Sequence, residues 1–382
     1  MWYMTDSYIK KHTDELFELL HQLAQIPAPT GAEDARADFC KKWLDGIGAK
    51  GVYVDEKKNV VFPYQCDGKN GITALFAHTD TVFPDTEPMP YSDDGKVIRC
   101  PGIYDDTANL AVLMLTAKFM IESKVDAPLG ILFVCNSCEE GLGNLAGARQ
   151  IFKDYEGRIA RFVTFDGGTM DKVVNKCVGS HRYEVTVKTE GGHSYGSFGN
   201  RSAVLELSKI ITDIYNISVP KNNASKTTYN VGMISGGTSV NTIPESASML
   251  CEYRSDDLEC LNIMKSKFEE IFKSAMDRGV DITVELVGER PCMGDVDPDE
   301  QERLVDVCGK ILKKALGTEV QRRSGSTDAN VPLSLGIPAV CIGACTGAGA
   351  HTRAEWLEKD SLITGLDVGI KVALALSGRK GI

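Results

Sequence analysis

Four short runs in this chain are apolar at nearly every position and stop abruptly at a polar or charged turn; this feature constrains the fold most. Residues 72–77 end in His78-Thr79-Asp80, and Ile131-Leu132-Phe133-Val134-Cys135 leads through Asn136 to Glu139-Glu140-Gly141. Residues 162–165 end in Asp166-Gly167-Gly168, and residues 339–342 precede a glycine-rich loop, 343–350, and then His351. Runs this short and this apolar predict strands buried on both faces. Between them lie segments with helical periodicity or length, at 6–25, 33–44, 108–123, 144–155 and 300–316. Strands alternating with helices predict an α/β fold, a mostly parallel sheet flanked by helices. In such sheets ligands bind beyond the carboxyl ends of the strands. His78, Glu139, Glu140 and Asp166 all fall at that edge.

From His181 the pattern changes. A half-exposed strand at 183–188 is followed by a helix at 203–215, strands at 229–234 and 247–253, a helix at 258–277 and a strand at 281–287. That order predicts a ferredoxin-like α+β unit. The chain then returns to its first style, so the smaller unit reads as an insertion. The expected organisation is a discontinuous catalytic domain, 1–179 with 293–382, carrying a lid domain at 180–292.

Alone, the adjacent pair Glu139 and Glu140 reads as a solvated loop between strand and helix, and Asp105-Asp106 as a helix cap. Convergence of four strand ends reverses that reading. Acids gathered at the end of buried strands are costly without a cation. Two histidines with several carboxylates and no thiolate suit one or two zinc, cobalt or manganese ions. In two-metal hydrolases one carboxylate bridges and another stays off the metal to accept a proton from water. Adjacent acids pointing differently can divide those tasks. His12 and His21, on the first helix, and His181 read as non-catalytic, the first two as surface residues.

The formal net charge of -11 argues against nucleic acid and anionic membranes as partners. Met1-Trp2-Tyr3-Met4-Thr5-Asp6 lacks the basic-then-apolar order of a signal peptide, and the most apolar stretch, 108–121, is short and carries Lys118. The expectation is a cytoplasmic protein. Its twelve cysteines are scattered and read as reduced, buried residues. The pairs Cys135/Cys138 and Cys341/Cys345 raise a zinc or redox role. A redox thiol needs a helix amino terminus, however, and Cys135 ends a strand.

His78-Thr79-Asp80, Gly102-Ile103-Tyr104-Asp105-Asp106, Glu139-Glu140-Gly141, Asp166-Gly167-Gly168 and His351 follow in an order that resembles one zinc metallopeptidase family. It is the family of peptidase T, carnosinase, aminoacylase-1, carboxypeptidase G2 and succinyl-diaminopimelate desuccinylase. Gly191-Gly192-His193-Ser194 and the run from Gly236-Gly237-Thr238 to Asn241-Thr242-Ile243-Pro244 resemble its lid motifs. The resemblance implies two Zn2+ ions: one on His78 and Asp166, one on Glu140 and His351, with Asp105 bridging. It implies that Glu139 is the general base and that Asp80 orients the His78 ring. The peptide after Asp105 is expected to be cis. His193 is expected to stabilise the oxyanion, and Asn241 and Arg254 to contact substrate, although Arg254 reads equally well as a surface ion pair. Arg353 is a candidate for a substrate carboxylate.

Aspartate at 166, where carboxypeptidase- and desuccinylase-like members usually place glutamate, resembles the aminopeptidase and dipeptidase branch, peptidase T above all. Thr107-Ala108-Asn109 departs from the lysine common after the bridging pair. The expected activity is hydrolysis of short peptides by a dimeric aminopeptidase, the dimer forming through the lid. An amidohydrolase acting on N-acyl amino acids is the alternative, and a non-catalytic binding protein is a third reading that Glu139 argues against.

Overall fold

The computed structural model describes residues 2–222 and 225–379, so Met1 lies outside it. The chain forms two compact units, Met1–Cys177 with Gly294–Ile382, and Val178–Met293.

The first unit is built on an eight-stranded sheet. Its four central strands lie in the order Ile131–Asn136, Ile72–His78, Ile159–Phe165 and Ala339–Ile342, all parallel. Val60–Tyr64 and Lys172–Cys177 flank them antiparallel, with Tyr53–Val54 and Gln321–Gly325 at the two edges. Every residue of Ile72–His78 and of Ile131–Asn136 is buried. Alternate side chains serve two cores. Leu75, Phe133, Val163 and Ile342 join the cluster formed with the helices Trp2–Ala24, Ala108–Glu122, Pro298–Leu316 and Ser361–Leu376. Phe76 and Phe162 point the other way; Phe162 meets Phe152 of the Ala146–Asp154 helix at 5.7 Å between ring centroids. Each such side chain contributes roughly 1.5–3 kcal/mol by leaving water. The Ala108–Glu122 helix is apolar around nearly its whole circumference, which is why it packs both on the sheet and on the carboxyl-terminal helix. Parallel strands bring their carboxyl ends to one edge, and that edge holds the site.

The second unit has a four-stranded antiparallel sheet in the order Thr227–Gly236, Ser246–Ser255, Gly179–Lys188, Asp281–Arg290. The helices Ala203–Tyr215 and Leu258–Asp277 cover one face, where Val185, Val187, Met249, Tyr253 and Phe268 are buried. Ser202 and Asp257 cap those helices through side-chain oxygens. The other sheet face is left open, as the alternation along Ser246–Ser255 records.

His12 corrects one expectation: it is 6% exposed, stacked on Tyr8 and bonded to Glu15. The helix carrying it is covered on more sides than its periodicity suggested, whereas His21 is exposed. His181 is buried beside the Tyr253 hydroxyl. All twelve cysteines are free thiols, and burial raises the Cys138 thiol to about 12, the opposite of what activates a redox thiol. Among the described residues no helix is long and apolar enough to cross a membrane.

Candidate metal centre

His78 is the last residue of its strand and is almost fully buried. Its Nε2 lies 3.1 Å from Asp105 Oδ1 and 3.9 Å from Asp166 Oδ1. His351 Nε2 lies 3.3 Å from the other oxygen of Asp105 and 2.9 Å from Glu140 Oε1. Asp105 therefore sits between the two imidazoles, one oxygen towards each. The sets His78/Asp105/Asp106/Asp166, His78/Glu139/Glu140 and Asp105/Glu140/His351 each bring their donor atoms within 4.8 Å of one another.

The supporting contacts explain the local sequence. The Asp105–Asp106 peptide is cis. Neither aspartate caps the following helix. Asp106 Oδ2 instead accepts the His78 main-chain N–H at 2.9 Å, and its other oxygen accepts the Asn109 amide. Asn109 in turn accepts the Ala344 N–H at 2.7 Å, tying this turn to the loop that leads to His351. Gly167 has a steric reason: a Cβ there would stand 2.8 Å from Asp105 Cγ. The Asp-Gly-Gly motif thus keeps the strand end clear for the bridging carboxylate.

Asp80 is fully buried. Its carboxylate lies 3.4 Å from His78 Nδ1, which is closer, at 3.0 Å, to the Asp80 main-chain oxygen. The carboxylate mainly holds the neighbouring loop: it accepts the N–H groups of Glu139 at 3.0 Å and Glu140 at 2.9 Å, and the Thr30 hydroxyl at 2.9 Å. One residue earlier, the Cys138 N–H donates to buried Glu33 at 3.1 Å. Cys138 adopts φ +57° and His351 φ +64°, left-handed conformations uncommon outside glycine, so both loops are held in costly backbone geometry.

The electrostatics follow from the crowding. Burial alone would push the His78 imidazole down, but Asp106, Asp105 and Asp80 hold it well above its ordinary value. Hydrogen bonds to Asp105 and Glu140 raise His351 to about 10. Burial, then the charge of Asp105, lifts Asp166 to about 7. Asp105 is largely buried too, yet hydrogen bonds from His351 and His78 hold it below the usual range. The ion pairs of Asp80, Asp105, Asp166 and Glu140 are made with these two histidines. Such a buried, acid-rich set of nitrogen and oxygen donors fits transition-metal cations.

Several contributing residues carried no sequence signal. Fully buried Arg36 donates to the main-chain oxygens of Ile26 and Thr79, and Asp328 adds its charge beside Asp166 while accepting the Asn136 amide at 2.5 Å. They are polar positions that break no periodicity.

The remaining candidates make contacts within their own units. Arg353 is exposed, paired with Asp85 at 2.6 Å and stacked over Phe83. In the second unit Arg254 pairs with Glu252 through two hydrogen bonds of 2.7 and 3.0 Å. In that unit His193 lies on a short strand and pairs with Thr242, and Asn241 is the turn residue just before Thr242, its main-chain oxygen accepting the Ser194 N–H at 2.9 Å.

A model of peptidase family M20/M25/M40 matches residues 74–375. A succinyl-diaminopimelate desuccinylase of Corynebacterium glutamicum is 26% identical over 345 residues, covering 88% of this chain and 90% of its own. A tripeptidase structure from Staphylococcus aureus has a TM-score of 0.76 at 20% identity, covering 96% of this chain and 99% of its own. The aminopeptidase PepT from Bacillus cereus has a TM-score of 0.73 at 20% identity, covering 95% and 98%. The structural likenesses establish a shared fold, and the family model takes in all four strand ends and the late histidine. The chain is a hydrolase that belongs to peptidase family M20/M25/M40.

Proposed function

We propose that this protein is a di-zinc aminopeptidase that cleaves di- and tripeptides. The observation that carries the chemistry is Asp105 lying 3.1 Å from one histidine and 3.3 Å from the other. His78 and Asp166 would hold one zinc and Glu140 and His351 the other, and Asp105 would serve both. Bound there, zinc supplies Lewis-acid polarisation of the scissile carbonyl and lowers the pKa of water. Glu139 is the carboxylate kept off the metal. One of its oxygens accepts the proton of the attacking water and returns it to the leaving amine nitrogen. Asp80 fixes the Glu139-Glu140 backbone so that the two side chains keep separate tasks. His193 donates to the oxyanion, and Asn241 and Arg254 contact the substrate. These three assignments rest on the motif resemblance.

The Asp-Gly-Gly sequence at 166–168 favours free peptides, as in the peptidase T branch. Cobalt or manganese are the other metals that this donor set suits. The edge strand Thr227–Gly236, with Met233 and Ile234 65% and 63% exposed, supports a homodimer formed through the second unit. A cytoplasmic location completes the proposal. The second reading, an N-acyl amino acid amidohydrolase, is favoured by the likeness to the desuccinylase over most of both chains. A hydrolysis screen of free dipeptides, free tripeptides and N-acyl amino acids with added zinc, cobalt or manganese separates the two. Cleavage of unblocked peptides is expected, and cleavage of acylated amino acids alone would overturn the aminopeptidase reading.

A further inference from the structure

Glu355 is a carboxylate that the chemistry above does not use, and it is 1% exposed. Its partners are main-chain groups of the loop that delivers Asp105. Oε2 accepts the Gly102 N–H at 2.8 Å, and Oε1 accepts the N–H groups of Tyr104 and Asp105, each at 2.8 Å. Backbone in an irregular turn has no ladder to satisfy its donors, so these N–H groups need a partner within the protein. A buried carboxylate likewise needs donors if it is to keep its charge. Each side meets the need of the other, and the loop is wound around one buried carboxyl group. Gly102 permits the close winding: its φ is +76°, and a Cβ there would come within 2.6 Å of Thr81 Cγ2.

The position of Glu355 in the chain matters as much as its bonds. It lies four residues after His351, in a turn closed by Thr352 N–H to Gly349 O at 2.9 Å and Glu355 N–H to Thr352 O at 3.3 Å. It is followed directly by the Trp356–Glu358 strand, which pairs with Val97–Arg99 just ahead of the Asp105 loop. One side chain therefore ties the segment bearing a terminal imidazole to the loop bearing the shared carboxylate.

We infer that Glu355 is a positioning residue that sets Asp105 between His78 and His351, and thereby governs the affinity of both metal sites together. The inference rests on the two-metal reading proposed above. Glutamine at 355 keeps the shape but offers one acceptor oxygen, and it turns an amide N–H towards a main-chain N–H. Asp105 then loses its fixed place. Because that carboxylate is shared, both sites weaken, whereas loss of a terminal ligand would weaken mainly one.

The test strips the full-length protein of metal, reloads it with zinc and measures both affinities by competition with a chromophoric chelator. It compares wild type, Glu355→Gln and Glu355→Asp, and records the melting temperature of each metal-stripped protein. The expected result is two zinc ions per chain in the wild type. In Glu355→Gln both affinities should fall by about 10- to 100-fold, the range for groups that orient metal ligands. Glu355→Asp, which keeps the charge, should fall between the two and reads the same effect if the glutamine variant fails to fold. With Co2+ in place of zinc, the visible spectrum of the variant should also change. A role confined to holding the loop together would lower the melting temperature and leave the affinities of the folded protein within about threefold. That result overturns the inference. If the wild type itself takes up fewer than two zinc ions, the two-metal reading fails first and this inference falls with it.

Discussion

Replacing Asp80 by asparagine probes how the two adjacent glutamates keep different tasks. The Asp80 carboxylate accepts the N–H groups of Glu139 and Glu140 at 3.0 and 2.9 Å, together with the Thr30 hydroxyl at 2.9 Å. Asparagine is nearly isosteric, yet one of its two positions becomes an NH2 group that faces an N–H. At least one charge-assisted bond is lost, and such bonds contribute about 1.5–3 kcal/mol each. Some of that is recovered by a shift of the loop, so a loss of about 10- to 100-fold in kcat/KM is expected, typical of residues that orient metal ligands. This corresponds to about 1.4–2.7 kcal/mol of transition-state stabilisation. The assay is steady-state hydrolysis of a free tripeptide by zinc-loaded protein, with zinc content measured on the same samples. The loss should appear chiefly in kcat, because what moves is the proton acceptor. A variant within twofold of the wild type would refute the idea that Asp80 holds the glutamate pair in register.

Further outcomes follow from the same geometry. Glu139→Ala should retain two zinc ions by elemental analysis while turnover falls by about 100- to 10,000-fold, the range of general acid–base contributions; unchanged turnover removes Glu139 from the mechanism. Gly167→Ala would place a methyl 2.8 Å from Asp105 Cγ, so zinc affinity should fall at both sites; affinity equal to the wild type contradicts the steric account of the Asp-Gly-Gly motif. In the metal-free protein His78 is held well above its ordinary pKa and His351 is raised to about 10, so both carry protons at pH 7. Each must release its proton to ligate, so affinity should drop as pH falls, by up to roughly tenfold per pH unit for each proton released. Titration calorimetry in two buffers of different ionisation enthalpy reads those protons directly, and no buffer dependence would contradict the assigned ligands.

The fold was largely legible because buried parallel strands are written as unbroken apolar runs. Ile72–His78, Ile131–Asn136 and Ala339–Ile342 carry that pattern, and a two-residue period marks Ser246–Ser255 as half-buried. Gln321–Gly325 was not legible: it is a polar edge strand, exposed along most of its length, with no apolar pattern to betray it. The short run Lys172–Cys177 is poorly legible for a related reason, since only Val173 and Cys177 in it are buried. At the centre, histidines and acids announce themselves by type at strand ends. The groups that hold them in place do not. Glu33, Arg36, Asp106 and Glu355 act on main-chain donors and acceptors, and a contact to backbone leaves no complementary residue type elsewhere in the sequence. His12 shows the opposite error, a polar side chain on an amphipathic helix that proves buried because Glu15 and Tyr8 accompany it. Asn109, likewise, shows its use only through its bonds to Asp106 and to the Ala344 N–H.

The central claim is that two metal ions share Asp105, and anomalous diffraction at the zinc edge from crystals of the zinc-loaded protein tests it most directly. Two peaks per chain are predicted, one against His78 and Asp166 and one against Glu140 and His351, with the Asp105 carboxylate between them. A single peak, or a pair in which Asp105 touches only one ion, would contradict the account.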